Sequence, residues 1–184
     1  PVDEILRSFD DLVRAGKILY VGISDTPAWQ ASRMQAIAEL RGWSPLVALQ
    51  IPYSLAERTV ERDLIPMASE MGMGVLPWSP LAGGILSGKY GQSDLGSKPG
   101  SASAGLGSRK DINLATGRLT GRSLAIATTV KEVAQEIGRT SAQVALAWTL
   151  RNPAVVSTII GVRTFAQFED NLAALELNLS DEQS

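Results

Sequence analysis

The 184-residue sequence predicts an α/β fold in which four parallel strands alternate with helices. Short apolar runs of strand length alternate with segments whose apolar residues recur at helical spacing. No hairpin turn signal separates one strand from the next, so the connections must be right-handed crossovers through helices.

The elements follow in order. Ile5, Leu6, Phe9, Leu12 and Val13 share one helical face, and Gly16 stands where a left-handed C-terminal cap belongs. The nearly continuous apolar run at 18–24 suits a strand buried on both faces. Thr26-Pro27 offers an N-cap and a first-turn proline for a helix to about Leu40, closed by Gly42, and 46–51 is the second strand. A third helix covers roughly 60–71, and Gly72 introduces a strand ending in Val75-Leu76-Pro77-Trp78. Ten of the 17 glycines then lie between Gly83 and Gly121, so about 82–121 reads as a long Gly/Ser-rich loop, either a functional lid or a disordered segment.

A helix at 124–137 follows, and Thr140-Ser141-Ala142-Gln143 is a capping box opening 144–150 with Trp148 on the apolar face. Residues 155–160 are the fourth strand. Thr164 to Gln167 is a second capping box, and Phe165, Phe168, Leu172 and Leu175 form the stripe of the last helix. Ser180-Asp181-Glu182-Gln183 repeats the capping pattern with no helix after it, and the series opens on a helix rather than a strand. The expectation is a single unit, 1–184, that is a piece of a larger fold.

Composition excludes several chemistries. There is no cysteine and no histidine, so the chain by itself builds no disulfide, thiolate metal site, imidazole base or Ser-His-Asp triad. The formal net charge is -2, the sequence pI about 5.2, and no basic run stands out, which gives no footprint for nucleic acid or an anionic membrane. Apolar stretches are short, and the first residues show no export signal. A cytoplasmic location is expected, since the lack of cysteine suits a reducing compartment.

Several ordered blocks resemble the aldo-keto reductases: Asp10-Asp11-Leu12-Val13-Arg14-Ala15-Gly16-Lys17 leading to Tyr20-Val21-Gly22-Ile23-Ser24, then Gln50-Ile51-Pro52-Tyr53-Ser54, Pro77-Trp78-Ser79-Pro80-Leu81-Ala82-Gly83-Gly84, Ser87-Gly88-Lys89-Tyr90 and Ile160-Gly161-Val162-Arg163-Thr164. They also resemble the potassium-channel β subunits, a branch of that family. The resemblance implies the second half of a (β/α)8 TIM barrel, a fold whose full form takes about 250 residues. It implies too that the family's Asp, Tyr, Lys and His tetrad belongs to a first half absent from this chain.

What the second half supplies, on this resemblance, is the NADP(H) site. Ser24 and Gln50 match the partners of the nicotinamide carboxamide, while Asp25 stands where the family has Asn. Trp78 matches the aromatic that stacks on the nicotinamide. Ser79, Leu81 and Gly83 match the pyrophosphate turn, and Lys89 a basic residue of the loop folding over the diphosphate. Gly161 and Arg163 match the 2′-phosphate site and so favour NADPH over NADH; Gln167, Asp170 and Asn171 match the residues around adenine and its ribose. Taken alone, Trp78 reads as core, Arg163 and Lys89 as solvated charges, and Gln167 with Asn171 as a polar helix face; Tyr53 could line a pocket or pack at a strand end.

The expectation is therefore the cofactor-binding half of an NADPH-dependent carbonyl reductase, with no catalytic residue of its own and no metal. Whether it is an enzyme stays open. A non-catalytic cofactor-binding or redox-sensing interaction module is the alternative, and a non-functional fragment a third. Two open strand edges and an uncovered apolar face lead us to expect self-association or a complementary half-barrel, with a small carbonyl substrate met only once the barrel is complete.

Overall fold

The computed structural model describes residues 1–95 and 108–184. Helix α1 (Val2–Arg14) precedes strand β1 (Val21–Ser24), α2 (Ala28–Arg41), β2 (Leu46–Pro52), a 3-10 turn at Thr59–Glu61, α3 (Leu64–Glu70) and β3 (Gly74–Trp78). The three strands form one parallel sheet in the order β1-β2-β3. After a 3-10 segment at Ala82–Ser87 and another at Gln92–Asp94 come α4 (Arg109–Ala115), α5 (Gly121–Glu136), α6 (Ser141–Leu150) and α7 (Phe165–Leu172). Short helical elements thus occupy the described parts of the Gly-rich segment, whose residues 96–107 lie outside the described residues.

Local sequence explains most of these ends. Gly16 and Gly42 take φ of 68° and 65°, which lets Lys17 N–H reach Leu12 O at 3.0 Å and Trp43 N–H reach Ala38 O at 2.9 Å, closing the helices with six-to-one bonds. Thr140 and Gln143 exchange their capping bonds at 3.2 and 3.3 Å. Thr26 does not cap α2: its hydroxyl donates to Ser24 O at 3.0 Å and Pro27 takes the N-cap place. At α7 the Thr164 hydroxyl accepts from Gln167 N–H, but Gln167 Oε1 accepts from Arg163 N–H at 2.9 Å rather than from Thr164 N–H, so the second box is only half made.

The fourth strand is corrected. Residues 155–160 run beside β3 but form a single parallel bridge, Val75 with Val155. Val75 N–H donates to Ala154 O and Val156 N–H to Val75 O at 2.8 and 3.1 Å. The next donor from β3 should be residue 77, and that residue is proline, which has none. Ile159 N–H then takes Pro77 O at 2.9 Å, one residue late, and the ladder goes no further. Three strands are paired, and the fourth apolar run is an extended flank.

The core lies between one face of the sheet and the helices. Leu49, Ile51 and Val75 are fully buried there, with Leu6 of α1, Met34 of α2 and Ile65 of α3 against them. Behind β3, α5 and α6 pack on each other and on the Ala82–Ser87 segment. The opposite sheet face carries Gly22, Ser24, Ala48, Gln50, Gly74, Leu76 and Trp78, all exposed or half-buried. Parallel sheets are normally covered on both faces, and among the described residues this one is covered on one.

Candidate functional site

Register assembles the first part of the site. Ser24 pairs with Gln50, and Gln50 with Leu76; Pro52 pairs with Trp78 one step further along. Residues two apart share a face, so Ser24, Gln50 and Trp78 all lie on the open face at the C-terminal ends of their strands. Asp25 N–H adds one more bond to the ladder, to Gln50 O at 3.2 Å. There the chain turns with φ 47°, a left-handed conformation that Asp and Asn tolerate better than most residues. The turn carries the Asp25 carboxylate across the end of β2, where Oδ1 accepts from the Trp78 indole N–H at 3.2 Å.

The turn after β3 makes the second part. Ser79 has φ 57° and Ala82 φ 49°, followed by Gly83 at 68° and Gly84 at 89°. Their N–H groups are used inside the turn: Gly83 N–H donates to Ser79 Oγ at 3.2 Å and Gly84 N–H to Leu81 O at 2.8 Å. The glycines matter for closeness instead. A Cβ on Gly83 would stand 2.2 Å from Asn113 Oδ1, and one on Gly84 2.6 Å from Lys89 Nζ. Asn113 of α4 is fully buried, its amide donates to Gly83 O at 3.1 Å, and its side-chain carbonyl oxygen has no hydrogen-bond partner among the described residues.

Lys89 folds back over Gly84, and its ammonium lies 5.1 Å from the centre of the Tyr90 ring. Burial, with the charges of Arg163 and Arg109 beside it, holds the Lys89 ammonium below the usual lysine range. Lys89, Arg109 and Arg163 therefore converge from three parts of the chain, and none of them has a salt bridge among the described residues. Such a cluster of cations fits a polyanion.

A sequence model of the aldo/keto reductase family matches residues 1–184. The chain belongs to the aldo/keto reductase family. It is 39% identical over 182 residues to the uncharacterized oxidoreductase YrpG of Bacillus subtilis, covering 99% of this chain and 52% of that protein. It is 34% identical over 178 residues to a putative voltage-gated potassium channel subunit beta of Schizosaccharomyces pombe, covering 96% and 50%. It is 31% identical over 183 residues to an aryl-alcohol dehydrogenase [NADP(+)] of Phanerodontia chrysosporium, covering 99% and 46%. The chain spans about half the length of the curated relatives it matches.

Within this aldo/keto reductase chain the remaining candidates lie on the flank after 155–160 and on α7. Gly161 and Arg163 are exposed on the flank beyond 155–160, and the Gln167 side chain holds the Arg163 N–H. Asp170 turns toward α6: Oδ1 accepts from Gln143 Nε2 at 2.8 Å and Oδ2 from the Thr140 hydroxyl at 3.1 Å. Asn171 is buried. Tyr53 is a packing residue, 3% exposed, 5.2 Å from Trp148 between ring centres, with its hydroxyl donating to Glu61 at 2.8 Å; burial, reinforced by Glu61, pushes it up to about 12. Among the described residues no group of three metal-ligating side chains occurs, and no helix is long and apolar enough to cross a membrane.

Arg109, Asn113 and Arg118 were not singled out by sequence. Arg118 places its guanidinium 5.3 Å from the centre of the Trp78 ring. The only local signal for this group was Ser108 with Asp111, a capping pair that orients α4 and so presents Arg109 and Asn113.

Proposed function

We propose that this chain is the NADP(H)-binding half of an aldo-keto reductase, equivalent to the second half of a (β/α)8 barrel. The observation that carries the reading is the common face of Ser24, Gln50 and Trp78 at the strand ends, next to the Gly83-Gly84 turn under Lys89. A side-chain amide donates and accepts at once, so Gln50 with Ser24 can hold a carboxamide, and Trp78 can support a flat ring. Ser79, Leu81 and Gly83 shape the turn beneath a diphosphate, while Lys89 and Arg109 neutralise it. Gly161 and Arg163 take the 2′-phosphate, with Gln167, Asp170 and Asn171 toward the adenosine. NADP(+) in the name of the aryl-alcohol dehydrogenase relative supports the same cofactor.

Bound there, the cofactor supplies the hydride. The chain's own residues bind and orient it, and the proton donor comes from outside, in the Asp, Tyr, Lys and His set the family keeps in its first half. The reading therefore assigns no catalytic residue here and meets a small carbonyl substrate only when the open sheet face is covered. Val156, Phe165 and Leu175 are 66%, 72% and 70% exposed, and with the bare sheet face they offer the surface for a complementary half-barrel or a second copy. The proposed setting is the cytoplasm.

The test is a titration of tryptophan fluorescence with NADPH and NADH, with Arg163→Ala beside the parent. Quenching by NADPH in preference to NADH, with the preference lost in the variant, is expected. Equal affinities unaffected by the substitution would defeat the assignment of Arg163, and no binding of either would defeat the cofactor reading. The similarity to a channel subunit favours one second reading, a redox-sensing interaction module, in which NADPH binds and no turnover follows even when the missing half is supplied.

A further inference from the structure

Trp78 stands between opposite charges. The Asp25 carboxylate accepts its indole N–H at 3.2 Å, and the Arg118 guanidinium lies 5.3 Å from its ring centre. The main chain that carries each charge is anchored. Asp25 N–H is bonded to Gln50 O at 3.2 Å; Arg118 N–H donates to Asn113 O at 2.8 Å and Arg118 O accepts from the Ser123 hydroxyl at 2.8 Å. The indole needs one carboxylate oxygen, and a neutral amide oxygen would serve it as well. The negative charge of Asp25 is thus surplus to the hydrogen bond it makes.

We propose that Asp25 and Arg118 set which oxidation state of the nicotinamide the site prefers, Asp25 favouring the oxidised ring and Arg118 opposing it. The inference rests on the cofactor reading above. The oxidised ring carries a positive charge and the reduced ring none, while the rest of the molecule is the same in both. The ratio of the two affinities therefore reads the local field at the ring, and phosphate contacts cancel from it. Neither side chain exchanges a proton or electron; both act by position and charge.

Asp25→Asn keeps the shape and the acceptor for Trp78 and removes the charge; Arg118→Gln replaces the cation by a shorter neutral amide. A unit charge several ångströms from the ring at a half-exposed site changes the ratio by about three- to tenfold. The experiment titrates the full chain and both variants with NADP+ and with NADPH, following tryptophan fluorescence at low ionic strength, with circular dichroism to confirm the fold. Asp25→Asn should lower the affinity for NADP+ relative to NADPH, and Arg118→Gln should raise it. Both shifts should shrink as salt is added, which a merely structural effect would not do.

Binding of both forms with a ratio changed by less than about twofold in Asp25→Asn would overturn the inference and leave the cofactor reading intact. Shifts of the same sign in the two variants would overturn it as well. If the parent binds neither form, the cofactor reading itself fails and takes this inference with it.

Discussion

Adding one methyl group at Gly83 should cost the fold far more than adding one at its neighbour Gly84. Both residues are left-handed, at φ 68° and 89°, and an L side chain there costs about 1–2 kcal/mol. The difference lies in what each Cβ would meet. At Gly83 it would stand 2.2 Å from Oδ1 of Asn113, a fully buried side chain tied back to Gly83 O. Displacing that amide breaks a buried hydrogen bond, for about 1–3 kcal/mol more. At Gly84 the Cβ meets Lys89 Nζ at 2.6 Å and Cε at 2.8 Å, the far end of a flexible side chain that can swing aside.

Gly83→Ala should therefore lose about 2–5 kcal/mol and Gly84→Ala about 1–2, with the second paying mainly in weaker phosphate binding as the ammonium is pushed away. Urea unfolding followed by circular dichroism measures both. The decisive arm is the Asn113→Ala background, where the clash is gone and the added cost of Gly83→Ala should fall to that of backbone strain alone. Equal losses for the two glycines, or an undiminished cost in that background, would refute the reasoning.

Asp10 accepts from Ser44 N–H and Oγ at 2.8 and 2.9 Å and from Arg14 at 2.6 Å; burial raises its carboxyl, but these bonds together hold it below its ordinary 3.8. The stability it adds is present above the unfolded value and lost as pH falls through the folded one, so the urea-midpoint gap between parent and Asp10→Asn should close on acidification. Burial and two neighbouring arginines lower Lys89, so NADPH affinity should fall as pH rises through a value under 10.5, and Lys89→Met should abolish that dependence in the fluorescence titration. Phe165→Ser should leave the unfolding midpoint nearly unchanged, because that ring is 72% exposed, yet reduce the proposed self-association as followed by light scattering.

Much of the architecture was written locally. The helix ends at Gly16 and Gly42 and the box of Thr140 with Gln143 depend on residues within one turn, and periodicity located all three paired strands. The first was overextended: Leu19 and Tyr20 belong to the apolar run but are 78% and 77% exposed, outside β1. The fourth failed for a nonlocal reason, since residues 155–160 are apolar enough for a strand and the missing donor is Pro77, some eighty residues earlier. In the site, strand-end residues could be found because register follows from alternation. The contacts of Asp25 and Arg118 with Trp78 join residues 53 and 40 positions apart, and no spacing rule reports them.

The incomplete fourth run gives the two ends of the site different lifetimes. The chain from Ala154 to Arg163 is fastened to β3 by three backbone bonds, and Val156 and Ile159 already face solvent in large part. Detaching it uncovers Ala154 and Val155 but breaks fewer backbone bonds than separating β1, β2 and β3, so it opens at a lower free energy than the ladder. Arg163 rides at the end of this stretch, whereas Ser24, Gln50 and Trp78 are rooted in the ladder itself. A long ligand bound as proposed would be held at one end by the ladder and at the other by this loosely fastened stretch, and its departure would begin there.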